Sequence, residues 1–421
     1  MNNTNEERLI EALKRSNKWW GNSFKLEYKP REIYPEIKRF FSKKQIIALV
    51  GLRRTGKTTL MFKLIEETFT SMNKENIVYF SFDDFKETKL LEVIKGYERL
   101  MKKNIDEGDY FFLFDEIQKV NNWEEQLKRI YDEYPNIKFV ISGSESLFIR
   151  KKSRESLAGR IYEFHVKTLN FREYLTFKEK KFNNIQLHKE EILREFHNYL
   201  ICNGFPEIIT ESKEDASKYI KENVLERIIY RDIPQIVPIE DPALLESIFK
   251  IILESPGEII NMNELAKEMG IARQTVSIYL DYLEKSFLIR KLYNYSKNAR
   301  KTHRRFKKYY PTILLPDIID KREIFGKVFE SVMVNQIDAE FFWRDEYKNE
   351  VDIILPDTLT AIEIKSGDIK ERDLVSLKRF IDKFKSKKKI VISYDLEKEI
   401  SGISVVPFFK YLLKEQEIIL I

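Results

Sequence analysis

Cysteine is all but missing from this chain, with the single residue Cys202 in 421. One thiol excludes an intrachain disulfide and suits a reducing compartment, where it reads as a small buried apolar side chain. Histidine is scarce as well, with four scattered copies, which leaves little material for a zinc site. No run approaches the roughly 18 apolar residues of a membrane span. The opening Met-Asn-Asn-Thr-Asn-Glu-Glu also lacks the basic start and apolar core of a signal peptide. These absences lead us to expect a soluble cytoplasmic protein with no membrane partner. Charge of one sign is in small excess only, with 74 Lys and Arg against 68 Asp and Glu for a net +6. Any nucleic-acid surface must therefore be local. The length suggests about three domains.

Glycine is also sparse, at 13 residues, yet two of them frame the run Gly51-Leu-Arg-Arg54-Thr55-Gly56-Lys57-Thr58-Thr59. This satisfies G-x-x-x-x-G-K-[ST] at every fixed position. The apolar run from Gln45 to Val50 reads as a buried strand entering the loop, and Lys57 to Phe69 as the helix leaving it. Backbone N–H groups from Gly51 through Thr59 and the positive helix end would face a nucleotide's phosphates. In that arrangement Lys57 lies near the β- and γ-phosphates and Thr58 offers its hydroxyl to Mg²⁺.

Ile77 to Phe82 and Tyr110 to Phe114 read as further buried strands. The second ends in Asp115-Glu116 and has the form of a Walker B strand, with Asp115 holding Mg²⁺ and Glu116 polarising the attacking water. Lys138 to Ile141 brings Ser142-Gly143-Ser144 to the same sheet edge, where Ser142 can sense the γ-phosphate or merely cap a helix. Arg154 and Arg160 lie in a charged stretch. Arg160, in Leu157-Ala158-Gly159-Arg160, is the preferred arginine finger, acting on a phosphate of the same or a neighbouring subunit and so raising a homo-oligomer.

Phe114-Asp115-Glu116-Ile117-Gln118, Ile141-Ser142-Gly143-Ser144, Leu157-Ala158-Gly159-Arg160, Thr168-Leu-Asn-Phe-Arg-Glu-Tyr174 and Gly204-Phe-Pro-Glu207 resemble the AAA+ ATPases of archaea and bacteria that carry a DUF4143-type C-terminal region. The resemblance spans nearly the whole chain. It implies an α/β, P-loop AAA+ ATPase core over 1–165, ATP and Mg²⁺ as cofactors, and a helical lid over 166–237. No sensor-2 arginine is evident in the lid, although Arg227 and Arg231 are candidates. Substrate is left unassigned.

Pro234, Pro238 and Pro242 mark a boundary. Beyond it, Asn263 to Met269, a Gly270-Ile271 turn and Arg273 to Ser286 have helix-turn-helix spacing. Phe287 to Leu292 then reads as a wing strand, which gives a winged helix-turn-helix over 238–315. Val276, Tyr279, Leu280 and Leu283 form the inward stripe, so Arg273, Gln274 and Ser277 can reach base edges of DNA. Lys297 to Lys308 is rich in Lys and Arg and has no acidic residue. Lys301, Arg304 and Arg305 within it would contact phosphates, unless the module docks on protein or the run is only a solvated face.

From 316 to 421 we expect a C-terminal restriction-endonuclease-like α/β domain. A helix from Gly326 to Phe341 precedes a hairpin around Pro356-Asp357. A four-residue turn at Pro356–Leu359 would set Asp352 opposite Glu363 and Glu350 opposite Lys365, separating charged from apolar side chains. The spacing of Asp352, Glu363 and Lys365 resembles a PD-(D/E)xK nuclease core. That resemblance implies Mg²⁺ on Asp352 and Glu363, a water oriented by Lys365, and support from Glu330. An inert scaffold is the alternative.

Overall fold

A computed structural model describes residues 3–21, 24–143, 156–237, 239–298, 302 and 306–413. Ser144, Arg154, Lys301, Arg304 and Arg305 lie outside the described residues. Two compact units divide the chain, Met1–Thr168 with Gln235–Pro238, and Leu169–Pro234 with Ile239–Ile421.

The first unit holds a five-stranded parallel sheet built from β1 (Ile46–Val50), β2 (Ile77–Ser81), β3 (Tyr110–Asp115), β4 (Ile137–Gly143) and β5 (Ile161–His165). All residues of β1 and β3 are buried, as continuous Ile, Leu and Phe runs covered on both faces require. The strand order is β2-β3-β4-β1-β5. Val140 of β4 pairs with Ile47 on one side and Leu113 on the other. The carboxyl ends of β1, β4 and β3 therefore lie side by side, at the edge where α/β sheets gather their ligands. The helix Lys57–Thr68 packs Leu60, Met61, Leu64 and Ile65 against Ile47, Leu49 and Val140. Each such burial is worth about 1.5–3 kcal/mol. Edge strand β2 is covered by the N-terminal segment. The Asn17 side chain pairs with both the N–H and the carbonyl of Tyr79, and Trp19 donates its indole N–H to the Ile77 carbonyl. Covering an edge in this way removes a template for unwanted strand pairing.

The second unit begins with helices at Phe171–Phe177 and Lys189–Cys202. The first is opened by Asn170 and Glu173, which cap each other's backbone N–H groups. Two helices follow at Met262–Glu268 and Arg273–Lys285, separated by Gly270 at a φ of 66°. The left-handed backbone ends the first helix, and Ile271 N–H closes onto the Ala266 carbonyl. Val276, Tyr279, Leu280 and Leu283 are buried as their spacing predicts.

Beyond them lie β6 (Ile289–Asn294), β7 (Lys307–Pro311), β8 (Phe341–Arg344), β9 (Glu350–Leu355), β10 (Thr360–Lys365), β11 (Lys388–Ser393), β12 (Lys398–Ile400) and β13 (Ile403–Pro407). They form one eight-stranded sheet in the order β12-β13-β11-β10-β9-β8-β6-β7. This sheet runs across the position 315/316, because Tyr293 and Asn294 of the β6/β7 hairpin pair with Phe341 and Phe342. The helix expected to reach Phe341 is Phe325–Gln336. A left-handed Asp338 at φ 58° follows it, which frees Phe341 to enter the sheet. The β9/β10 hairpin pairs Leu355 with Thr360, Ile354 with Ala361 and Ile353 with Ile362. This is the register that burial of one apolar face demands, and its continuation sets Asp352 opposite Glu363.

Candidate functional site

The phosphate-loop sequence sits where β1 ends and the Lys57–Thr68 helix begins. Gly51 is required by a close approach, since a Cβ there would lie 2.1 Å from the Val166 carbonyl oxygen. Arg54 and Gly56 adopt left-handed backbone, at φ 64° and 93°, which turns the chain into the helix. Thr55 is fully buried and donates its hydroxyl to the Leu52 carbonyl. Thr59 is exposed at the first helical turn. Lys57 is only 5% exposed. Its Nζ donates to the carbonyls of Gly51 and Leu52 at 2.9 and 2.8 Å, so the ammonium is held across the loop.

Asp115 is the hub of the site. Its Oδ2 accepts from Thr58 Oγ1 at 2.7 Å and from the Tyr79 hydroxyl at 2.8 Å. Its Oδ1 accepts from Glu116 N–H and from the buried Ser142 hydroxyl. Thr58 and Asp115 thus form a pair of hard oxygen donors at a helix N-terminus. That pair fits Mg²⁺, which takes one or two protein oxygens and fills its octahedron with waters and substrate phosphates. Ser142 is committed to Asp115 in this arrangement rather than aimed into open space. Glu116 stands beside it in left-handed backbone at φ 54°, and its Oε2 accepts from Gln118 Nε2 at 2.7 Å. Desolvation pushes the Glu116 carboxyl above the ordinary range, against the pull of Lys57 and with the help of Asp115.

Sequence reasoning missed two side chains here. Tyr79 lies in the middle of β2, and burial beside Asp115 raises its phenol far above the usual value, so it stays a donor. Removing it leaves Asp115 Oδ2 with Thr58 alone. Tyr79→Phe is expected to cost about 1.5–3 kcal/mol of stability, the range for a hydrogen bond to a charged group, and to raise the Mg²⁺ concentration needed for half-maximal turnover. Thermal unfolding together with a Mg²⁺ titration checks it, and an unchanged midpoint and titration would refute it. The second is Arg31, which is buried. It donates to the Thr55 carbonyl and to the Lys167 carbonyl, each at 2.7 Å, and so braces the outside of the loop. Nothing local in the sequence marks Arg31, because its partners are 24 and 136 residues away.

Arg160 falls elsewhere. It makes a two-pronged pair with Asp132 at 3.0 Å for each prong, and its carbonyl accepts from Ile46 N–H at the start of β1. The phosphate loop leaves the opposite end of β1, so Arg160 does not reach the nucleotide site of its own subunit. Only the neighbouring-subunit role remains open to it.

In the second unit Arg273, Gln274 and Ser277 are exposed on the helix they begin. Lys308, which reads in the sequence as the end of the basic run, is instead 4% exposed. Its ammonium lies 3.2 Å from Glu330, 2.6 Å from Glu350 and 4.0 Å from Asp352. The alternation of β7 explains this, since Lys308 and Tyr310 share one face, and Tyr310 donates to Glu330 at 2.6 Å. Burial would lower the Lys308 pKa, but Tyr310, Glu330, Asp352 and Glu350 hold it well above the ordinary value. Lys365 pairs with Glu363 at 2.7 Å, and Asp352 Oδ2 accepts from Ile364 N–H at 2.8 Å. Burial, then the mutual repulsion of the carboxylates, raises the pKa of Asp352. Among the described residues no group of three or more His, Cys, Asp or Glu side chains is arranged to hold a metal ion. Where the spacing suggested a metal, two lysine ammoniums stand instead, Lys365 at 2.7 Å from Glu363 Oε1 and Lys308 at 4.0 Å from Asp352 Oδ1, while the buried Glu363 Oε2 has no hydrogen-bond partner among the described residues.

Residues 43–175 match the model of a family described as an AAA domain. Residues 193–312 and 325–411 match two domains of unknown function, DUF8612 and DUF4143. The chain is thus similar to an AAA domain in its first part and to a DUF4143 domain in its last. An uncharacterized protein of Methanocaldococcus jannaschii is 31% identical over 276 residues, covering 63% of this chain and 60% of its own length. A second from the same organism is 28% identical over 322 residues, covering 69% and 67%. The chain therefore spans about three-fifths of the first relative and two-thirds of the second. Among solved structures, the Bacillus subtilis DNA clamp loader delta protein is 17% identical, covers 60% of this chain and 88% of its own, and has a TM-score of 0.26. Among the described residues no helix is long and apolar enough to cross a membrane.

Proposed function

We propose that the chain binds Mg·ATP at Gly51–Thr59 and hydrolyses it to ADP, and that the nucleotide state controls a DNA-binding winged helix. The observation that carries the reading is the 2.7 Å contact between Thr58 Oγ1 and Asp115, which joins the two expected Mg²⁺ ligands at the head of the phosphate-loop helix. Lys57 balances charge on the β- and γ-phosphates, and Glu116 polarises the attacking water. Bound Mg²⁺ supplies charge neutralisation at the phosphate oxygens. Arg160 of a neighbouring copy would complete the site, so turnover should rise with protein concentration.

For DNA, Arg273, Gln274 and Ser277 supply base contacts, and Lys301, Arg304 and Arg305 supply phosphate contacts. ATP turnover with and without duplex DNA tests the reading. We expect Mg²⁺-dependent turnover that changes several-fold with DNA, and Arg273→Ala with Gln274→Ala is expected to weaken binding by about 1–3 kcal/mol. Turnover indifferent to DNA in the presence of tight binding would remove the coupling.

Mg²⁺-dependent cleavage of DNA by Asp352, Glu363 and Lys365, with Glu330 in support, is an extension of this reading. The ion pairs of Lys308 favour the other version, in which the nuclease-like region is inert and the chain is a nucleotide-switched module.

A further inference from the structure

The geometry points to Lys308 as the resident cation of the acidic cluster in the second unit, standing in for a metal ion and closing that site to divalent cations. The inference rests on the second version above and names what silences the nuclease-like region.

Four buried or half-buried carboxylates converge here, from the Phe325–Gln336 helix (Glu330), from β9 (Glu350 and Asp352) and from β10 (Glu363). Such a group is unstable in a low-dielectric interior unless cations meet it. A lysine from β7 supplies one charge, with Nζ inside 4.0 Å of three of the carboxylates. Arg344 takes the other oxygen of Glu350 at 3.2 Å, and Lys365 takes Glu363. The Tyr310 hydroxyl fills a further acceptor position on Glu330. A divalent ion bound by Glu330, Glu350 and Asp352 would need the volume that the Lys308 ammonium fills, and the two positive charges would repel. One oxygen is left over. Glu363 Oε2 is buried and has no hydrogen-bond partner among the described residues. It marks the cluster as a carboxylate set whose acceptors are not exhausted by protein donors.

Lys308 lies on β7, next to β6, and the next strand along the chain is β8, which pairs with both β6 and β9. The lysine therefore ties the hairpin that follows the helix-turn-helix to the hairpin that bears Asp352 and Glu363.

Mn²⁺ binding to the full chain without nucleotide, followed by electron paramagnetic resonance, tests the inference. Wild type should show no Mn²⁺ site that Asp352→Asn removes. Lys308→Ala should create one at least about tenfold tighter than any wild-type binding, as expected when the net negative charge of a site rises with the loss of its cation, and Asp352→Asn on top should abolish it. Lys308→Arg, which keeps the charge, should remain metal-free. In wild type, an Asp352-dependent Mn²⁺ site would overturn the inference, and so would a folded Lys308→Ala that gains no site. If Lys308→Ala does not fold, the wild-type comparison with Asp352→Asn alone decides. A wild type without such a site whose DNA binding is the same with and without ATP would leave Lys308 as the cation while removing the switched-module reading.

Discussion

Lys57→Ala is expected to lower ATP turnover by at least about 100-fold, which is about 2.7 kcal/mol of transition-state stabilisation, the scale seen when a preorganised electrostatic donor is removed. The expectation comes from where the ammonium is held. Two carbonyls of the loop, from Gly51 and Leu52, fix Nζ inside a buried strand-to-helix turn, so the charge is positioned before any phosphate arrives. Phosphoryl transfer asks the protein mainly for positioning and charge stabilisation, and a cation in a poorly solvated loop acts more strongly than one in water. Alanine removes the charge and the ammonium's hydrogen bonds to both carbonyls, although the Leu52 carbonyl still accepts from the Thr55 hydroxyl. Lys57→Arg should not rescue, because a planar fork cannot replace a compact ammonium between two carbonyls. Turnover and binding of a fluorescent ATP analogue, measured on both variants with circular dichroism as a folding control, check this. Turnover near wild type in a folded Lys57→Ala would dispose of the phosphate-loop mechanism.

The parts of this site that lie close together in sequence are the parts sequence reasoning finds. Gly51, Gly56, Lys57 and Thr58 belong to one turn, and Asp115 follows an uninterrupted run of buried aromatic and aliphatic residues, so spacing alone announces them. The hairpin register of β9 and β10 is equally legible, because a shift of one residue would set Asp352 opposite Ile362 or Ile364 and mix charged with apolar side chains. Tyr79 is harder to find. It differs from the adjacent Phe80 only by a hydroxyl, and what makes it matter is Asp115, which lies one strand away in space and 36 residues away in sequence. Its signal was the alternation of β2, which places Tyr79 and Ile77 on one face. Lys308 was misread for the opposite reason. Its neighbours in sequence are basic and exposed in character, and only the strand period separates it from Lys307. Counting by two from Tyr310, a residue with one polar atom and a large apolar ring, would have turned Lys308 inward. Arg160 shows the limit of motif reasoning, because an arginine in a promising motif can sit beside the start of β1, at the end of the sheet opposite the phosphate loop.

Glu116→Gln should leave ATP binding close to wild type and reduce hydrolysis by about 10²–10⁴-fold, the usual contribution of a general base. The substitution is nearly isosteric, and an amide oxygen can still accept from Gln118 as Glu116 Oε2 does. The loop, Thr58 and Asp115 are untouched. What is lost is the ability to draw a proton from water. Desolvation already raises the carboxyl of Glu116, so the basic form appears only as pH rises through that raised value. Wild-type turnover should therefore show an acid limb above the ordinary carboxylate range, rising with pH, and the residual activity of Glu116→Gln should lack it. The same shift fixes a stability outcome. A carboxyl whose folded pKa lies above its unfolded pKa contributes fully below the unfolded value and loses that contribution as pH rises through the folded one. At neutral pH the amide should then be at least as stable as the acid, a trade in which activity is given up for stability at a functional position. Nucleotide binding, single-turnover hydrolysis across pH and thermal unfolding of both proteins measure the three effects. Hydrolysis by Glu116→Gln at the wild-type rate, with the acid limb intact, would place the general base on another residue.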